Sequence, residues 1–203
     1  MRQTVITISR EHGSGGRLIG QKLALELGFL YYDRSIIEMA AEKSGLSPDF
    51  IAQSESRATN SFLFNLSASL NAAATGTSYQ YDTPVTAKAY YAQASVIEDL
   101  AAKGNCIIVG RCADYILRGT PNLLRVFIRG EKEDRIRRMT EDYGEEADRI
   151  DKMDRGRSNY YRHFTNEEWG DMHGYDLIVN TSVTGIDGAV AVIKALVMNR
   201  KED

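Results

Sequence analysis

Residues Gly13-Ser14-Gly15-Gly16-Arg17 form a glycine-rich turn between an apolar run, Val5-Ile6-Thr7-Ile8-Ser9, and a helical pattern starting near Leu18. Strand, turn and helix in that order gather backbone N–H groups and a helix N-terminus in one small volume, an arrangement suited to phosphate. The Walker A pattern G-x-x-x-x-G-K-[ST] closes such a turn with Lys and a hydroxyl residue. In the frame set on Gly15, Arg10 stands at the first Gly, Gly16 at the Lys and Arg17 at the Ser or Thr. The turn thus predicts a phosphate cradle of Arg10, His12, Gly13, Ser14, Gly15, Gly16 and Arg17 that lacks the usual ammonium. Arg17 is the nearest replacement cation and Arg10 a second, since a guanidinium reaches farther than an ammonium and grips two oxygens. A plain turn with Arg17 paired to a carboxylate is the structural alternative.

Further candidates follow the later strands. Asp33, after Phe29–Tyr32, reads either as a helix N-cap or as a ligand contact at the carboxyl end of a sheet. Arg111 follows the apolar run Cys106–Val109 at the same expected edge and reads as an anion contact, and Asp114 could orient it or meet a ligand. The stretch 131–163 carries Arg135, Arg137, Arg138, Arg149, Arg155, Arg157 and Arg162. Such a run is commonly a solvated face. Asp151 and Asp154 sit one turn before Arg155 and Arg157 and can orient them, which gives the run a second reading as a charged lid. Tyr160, Tyr161, Phe164 and Trp169 read as packing for the lid base rather than a base-stacking platform.

These residues need a scaffold that brings their turns to one edge. Strand patterns at 3–9, 29–32, 106–109, 123–128 and 175–180 alternate with helical patterns at 18–27, 33–43, 87–103, 131–143, 148–163 and 186–198, and Ser47-Pro48 reads as another helix start. Such alternation predicts a doubly wound parallel α/β sheet of five strands with helices on both faces. The 203 residues fit one domain, 1–203. Residues 54–84, rich in Ser, Ala, Asn, Thr and Gly, read as an inserted flap or a surface loop, and 144–172 as the lid region. With 25 basic against 28 acidic residues, wholesale binding to nucleic acid or an anionic membrane is not expected. The chain shows no unbroken apolar run of spanning length, so neither a membrane span nor a signal peptide is expected, and its two cysteines read as reduced thiols. A cytoplasmic protein is the expectation, with the 87–103 helix offering enough Tyr, Ala and Val for a homodimer face.

The chain resembles bacterial cytidylate kinases at Val5-Ile6-Thr7-Ile8, Gly13-Ser14-Gly15, Asp33 after Tyr31-Tyr32, Gly110-Arg111 and the arginine-rich segment 134–139. It is similar more closely to a cytidylate kinase-like group at Ser9-Arg10, Gly13-Ser14-Gly15-Gly16-Arg17, Asp154, Arg157-x-x-Tyr160-Tyr161, Trp169-Gly170, Tyr175-Asp176-Leu177 and Asn180-Thr181. Cys112 stands where the kinases carry Asp, which leaves the acceptor base open. The resemblance implies a P-loop NTPase fold of nucleoside monophosphate kinase type. It implies ATP and Mg2+ as cofactors and phosphoryl transfer to a small acceptor such as CMP. Gly13–Arg17 would hold donor phosphates, Asp33, Arg111 and Asp114 the acceptor, and Arg17, Arg155 and Arg157 the transferring group. Ser14, a carboxylate elsewhere, or the nucleotide itself with water would hold the metal. A nucleotide-binding sensor without catalysis, or a kinase for a non-nucleotide molecule, remains open beside it.

Overall fold

The computed structural model describes residues 3–53 and 85–200. The expected flap at 54–84 lies outside them. Five strands, β1 (Val5–Arg10), β2 (Leu30–Tyr32), β3 (Cys106–Val109), β4 (Leu123–Arg129) and β5 (Leu177–Asn180), form an all-parallel sheet in the order β2-β3-β1-β4-β5. Val5 of the central strand lies in register with Cys106 on one side and Leu123 on the other. The turns after all five strands therefore emerge at one edge, where ligands bind in open α/β sheets.

Alternation along the strands divides the core. Ile6, Ile8, Ile107 and Val109 face α1 (Gly16–Leu27) and the C-terminal helix, whereas Val5, Cys106 and Ile108 face α2 (Ser35–Ser44) and α3 (Val85–Ala102). Ala89, Val96, Ile97 and Leu100 of α3 are buried there, so much of the apolar stripe expected to offer a partner face serves the core. The turn after β3 leads into a short helix, α4 (Ala113–Ile116), that periodicity did not predict, since four residues show no helical repeat. Two charged helices follow β4: α5 (Lys132–Tyr143), in which four basic residues are balanced by four acidic ones, and the basic α6 (Arg149–Thr165). Ser47 Oγ accepts the Phe50 N–H at 3.1 Å, as expected of the helix start at Ser47-Pro48.

The last helix, α7 (Thr181–Asn199), begins five residues before its expected start. Asn180 caps it by accepting the Ser182 N–H at 3.1 Å, and Gly185 (φ 65°, ψ −177°) breaks its first turn from the rest. The periodic pattern from Ile186 shows only the second segment. By length and composition alone, with a mean hydropathy of 1.5, α7 could cross a membrane, although Asp187 and Lys194 interrupt its apolar run. It packs on α1 and β5, and Ala189, Val190 and Ile193 belong to the core.

Candidate active site

The glycine turn has the predicted cradle form. Gly13 (φ 79°) and Gly15 (φ 85°) take left-handed backbone, and α1 starts at Gly16 with no side-chain cap. The first N–H groups of that helix are thus left for an external acceptor. A Cβ on Gly13 would sit 2.7 Å from the Arg135 carbonyl oxygen, so the turn tolerates no side chain there. The turn opens into a cleft of about 180 Å³ whose wall includes Arg10, Arg17, Arg138 and Arg157. Gly15, Gly16 and these guanidiniums fit a polyphosphate such as the tail of ATP. The same donor set does not fit magnesium. Ser14 is fully buried and its Oγ donates to the Glu11 carbonyl at 2.8 Å, away from the role expected of it as metal ligand. Among the described residues, no three His, Cys, Asp or Glu side chains converge as a metal cluster.

Helices α5 and α6 hold the turn from outside. Asp154 accepts the His12 backbone N–H at 2.7 Å with Oδ1 and the Arg135 Nη1 at 2.6 Å with Oδ2. Arg135, 7 % exposed, also donates to the His12 carbonyl at 3.1 Å, and Glu11 lies 3.5 Å from its Nε. Arg157 Nη1 reaches the Arg10 carbonyl at 3.2 Å and lies 3.5 Å from Asp154. Arg138 donates to the Gly13 carbonyl. His12 contributes its backbone to this clasp, and its ring bonds Glu145 at 2.8 Å.

The expected acceptor side is built by the turn after β3. Gly110, Arg111 and Cys112 are three successive left-handed residues (φ 77°, 60° and 55°). Such backbone costs a non-glycine residue about 1–2 kcal/mol. It returns Arg111 across the sheet edge, where Nε donates to the Asp33 carbonyl at 3.4 Å and Nη1 to Gln93 Oε1 at 2.9 Å. A second, smaller cleft lined by Arg10, Arg111, Arg157, Tyr160 and Trp169 lies there.

Each predicted residue can now be placed. Arg17 Nε donates to Asp33 Oδ2 at 2.7 Å, joining the donor loop to the acceptor edge. Asp33 is therefore no helix cap; α2 begins two residues later without a side-chain cap, because the carboxylate is drawn to Arg17. Arg157 lines both clefts, whereas Arg155 is exposed and lines neither, since two helical positions lie about 200° apart. Of the two carboxylates expected to orient Arg155 and Arg157, Asp154 lies 3.5 Å from Arg157, whereas Asp151 accepts from Lys132 at 2.7 Å. Arg138 and Gln93 went unpredicted, although Arg138 was visible as one of the basic residues of α5. The aromatic residues beyond the lid pack with Tyr90 and Cys112, as expected of a lid base.

Asp114 lies beneath the smaller cleft, 2 % exposed, accepting from Ser9 Oγ at 3.2 Å and from the Tyr161 hydroxyl at 2.8 Å. This placement replaces the expected contact with a ligand. Burial raises its carboxyl above the usual range, against the pull of the two donated bonds. Burial and the neighbouring Asp114 push the Tyr161 phenol up as well, keeping it a donor. Because the folded value of Asp114 is raised, its contribution to stability is present below the ordinary 3.8 and is lost as pH rises through the folded value. The neutral Asp114→Asn variant is expected to melt at or above the parent at pH 7, with the two curves converging as the medium is acidified towards that ordinary value. A variant less stable at pH 7 by a margin that ignores pH would contradict this.

A parallel sheet with a glycine turn after its central strand and an arginine-walled cleft at its carboxyl edge defines a protein of P-loop kinase fold. The cytidylate kinase-like family model matches residues 5–183, and the chain belongs to that family. No curated protein matches it. Among solved structures it is similar to an uncharacterized protein from Eubacterium ventriosum ATCC 27560, at 25% identity and TM-score 0.72, with 98% of this chain and 100% of the other covered. Shikimate kinase from Bacteroides thetaiotaomicron shares the fold at 13% identity and TM-score 0.56, covering 97% and 99%. A gluconokinase from Sinorhizobium meliloti 1021 does so at 14% and TM-score 0.52, covering 97% and 95%.

Proposed function

We propose that the protein transfers the γ-phosphoryl group of ATP to a small anionic acceptor, a nucleoside monophosphate such as CMP being the reading closest to its family. The observation that carries this is the sharing of Arg10 and Arg157 by the two clefts. One cleft holds the glycine turn and the other the Arg111 turn, so the shared guanidiniums stand where a donor phosphate and an acceptor would meet. Phosphoryl transfer needs positioning and countercharge more than covalent chemistry. Gly13, Gly15, Gly16 and Arg17 hold donor phosphates, Arg111 draws the acceptor, and Arg157 faces the charge shared in the transition state. An acceptor phosphate is already anionic near neutral pH, so no general base is assigned. The neighbours named a shikimate kinase and a gluconokinase favour widening the acceptor class to small hydroxy acids. In this reading the protein works in the cytoplasm.

The test is ADP release from ATP, with and without magnesium, against a panel of nucleoside monophosphates and hydroxy acids. Release that depends on one acceptor is expected. A protein that binds ATP and gives no acceptor-dependent ADP is instead a nucleotide-binding sensor. That second reading is favoured by the closed Arg17–Asp33 pair and the buried Ser14 hydroxyl.

A further inference from the structure

The groups around the glycine turn suit a bare polyanion better than a metal-bound one. Ser14, the hydroxyl within the turn, is fully buried and committed to the Glu11 carbonyl. Arg17 stands in the position where the Walker pattern has its hydroxyl. Two carboxylates line the cleft, and both are already engaged. Glu11 Oε2 accepts the Gly130 N–H at 2.9 Å and lies 3.5 Å from Arg135 Nε. Glu145 Oε2 bonds His12 Nε2 at 2.8 Å and lies 3.8 Å from Arg149. Drawing either towards a cation would strip partners from the clasp that holds the turn. Against them, the guanidiniums of Arg10, Arg17, Arg138 and Arg157 line the same space.

We infer that this cleft binds its polyphosphate as the metal-free anion, with arginines carrying the countercharge that magnesium carries in P-loop sites with a hydroxyl ligand. The inference rests on the cleft being a polyphosphate site. Magnesium takes oxygen ligands in near-octahedral geometry and keeps several waters, so a bound nucleotide would bring a bulky dication into a wall of positive charge. The free anion carries two further negative charges, each attracted by the guanidiniums and by the N-terminus of α1. Arginine forks bind phosphate oxygens bidentately without a metal bridge.

Calorimetric titration of ATP, and separately of pyrophosphate, into the full chain tests this in EDTA and in excess MgCl2. Both ligands are expected to bind about tenfold more tightly in EDTA, the agreement showing that phosphates rather than the base carry the effect. Arg138→Ala is expected to weaken binding in EDTA and to narrow the difference between the two media. Equal or tighter binding with magnesium overturns the inference and leaves the polyphosphate site intact. Absence of binding in both media overturns the site itself, a separate result.

Discussion

Arg157→Ala is expected to lower acceptor-dependent ADP formation by about 10³-fold, the effect of removing an arginine that faces the transferring phosphoryl group. The expectation comes from position. Arg157 lines both clefts, its Nη1 is held by the Arg10 carbonyl at 3.2 Å, and Asp154 sits 3.5 Å away to keep it turned inward. Its neighbour Arg155 is exposed, and Arg155→Ala is the matched control that should leave turnover unchanged. The loss should fall mainly on kcat, because countercharge in the transition state lowers the barrier more than it improves ground-state binding. Lys at 157 should recover part of the rate, as it restores charge without the bidentate fork. An Ala variant that keeps activity within about tenfold of the parent would remove Arg157 from the reacting centre.

The second large effect is on stability. Asp154→Ala leaves the Arg135 guanidinium buried without its main countercharge, and breaking such a pair costs about 3–5 kcal/mol. For a chain of this length that is a fall in Tm of about 6–20 °C. Arg135 keeps the His12 carbonyl and a distant Glu11, which places the expected loss at the lower end of that range. Adding Arg135→Met should restore most of the stability, since an apolar chain of similar volume removes the stranded charge. Loop function should not return with it, because His12 N–H would still lack the Asp154 acceptor that fixes the turn. Thermal melts of the single and double variants decide the point. An unchanged Tm in Asp154→Ala would show that the clasp contributes nothing.

Much of the scaffold was legible because its signals are local. The continuous apolar run Cys106–Val109 is the observed β3, and Gly28 ends α1 at the expected residue. The phosphate turn was legible for the same reason, since its glycines and the strand and helix around it are contiguous. What sequence reading missed depends on distant partners. Asp33 was open as a cap or a ligand contact, and a carboxylate partner for Arg17 was an alternative, but which carboxylate it would be shows only once Arg17, sixteen residues earlier, takes that of Asp33. Asp114 looks like a site residue until Tyr161 and Ser9 fold over it. Nothing in the run 135–138 says which arginine will meet the turn. Packing of α5 against the loop buries Arg135, brings Arg138 to Gly13 and leaves Arg137 outside, paired with Asp134. The left-handed turn at 110–112 was hidden too, because Arg111 and Cys112 are not residues that announce positive φ.

The account stands on the main-chain amides of the first turn as an anion site, and amide-resolved NMR during an ATP titration reads those groups individually. The largest saturable shifts are predicted at Gly13, Gly15, Gly16 and Arg17, with smaller ones at Gly110 and Arg111. Shifts confined to other surfaces, with these amides unmoved at saturating nucleotide, would contradict it.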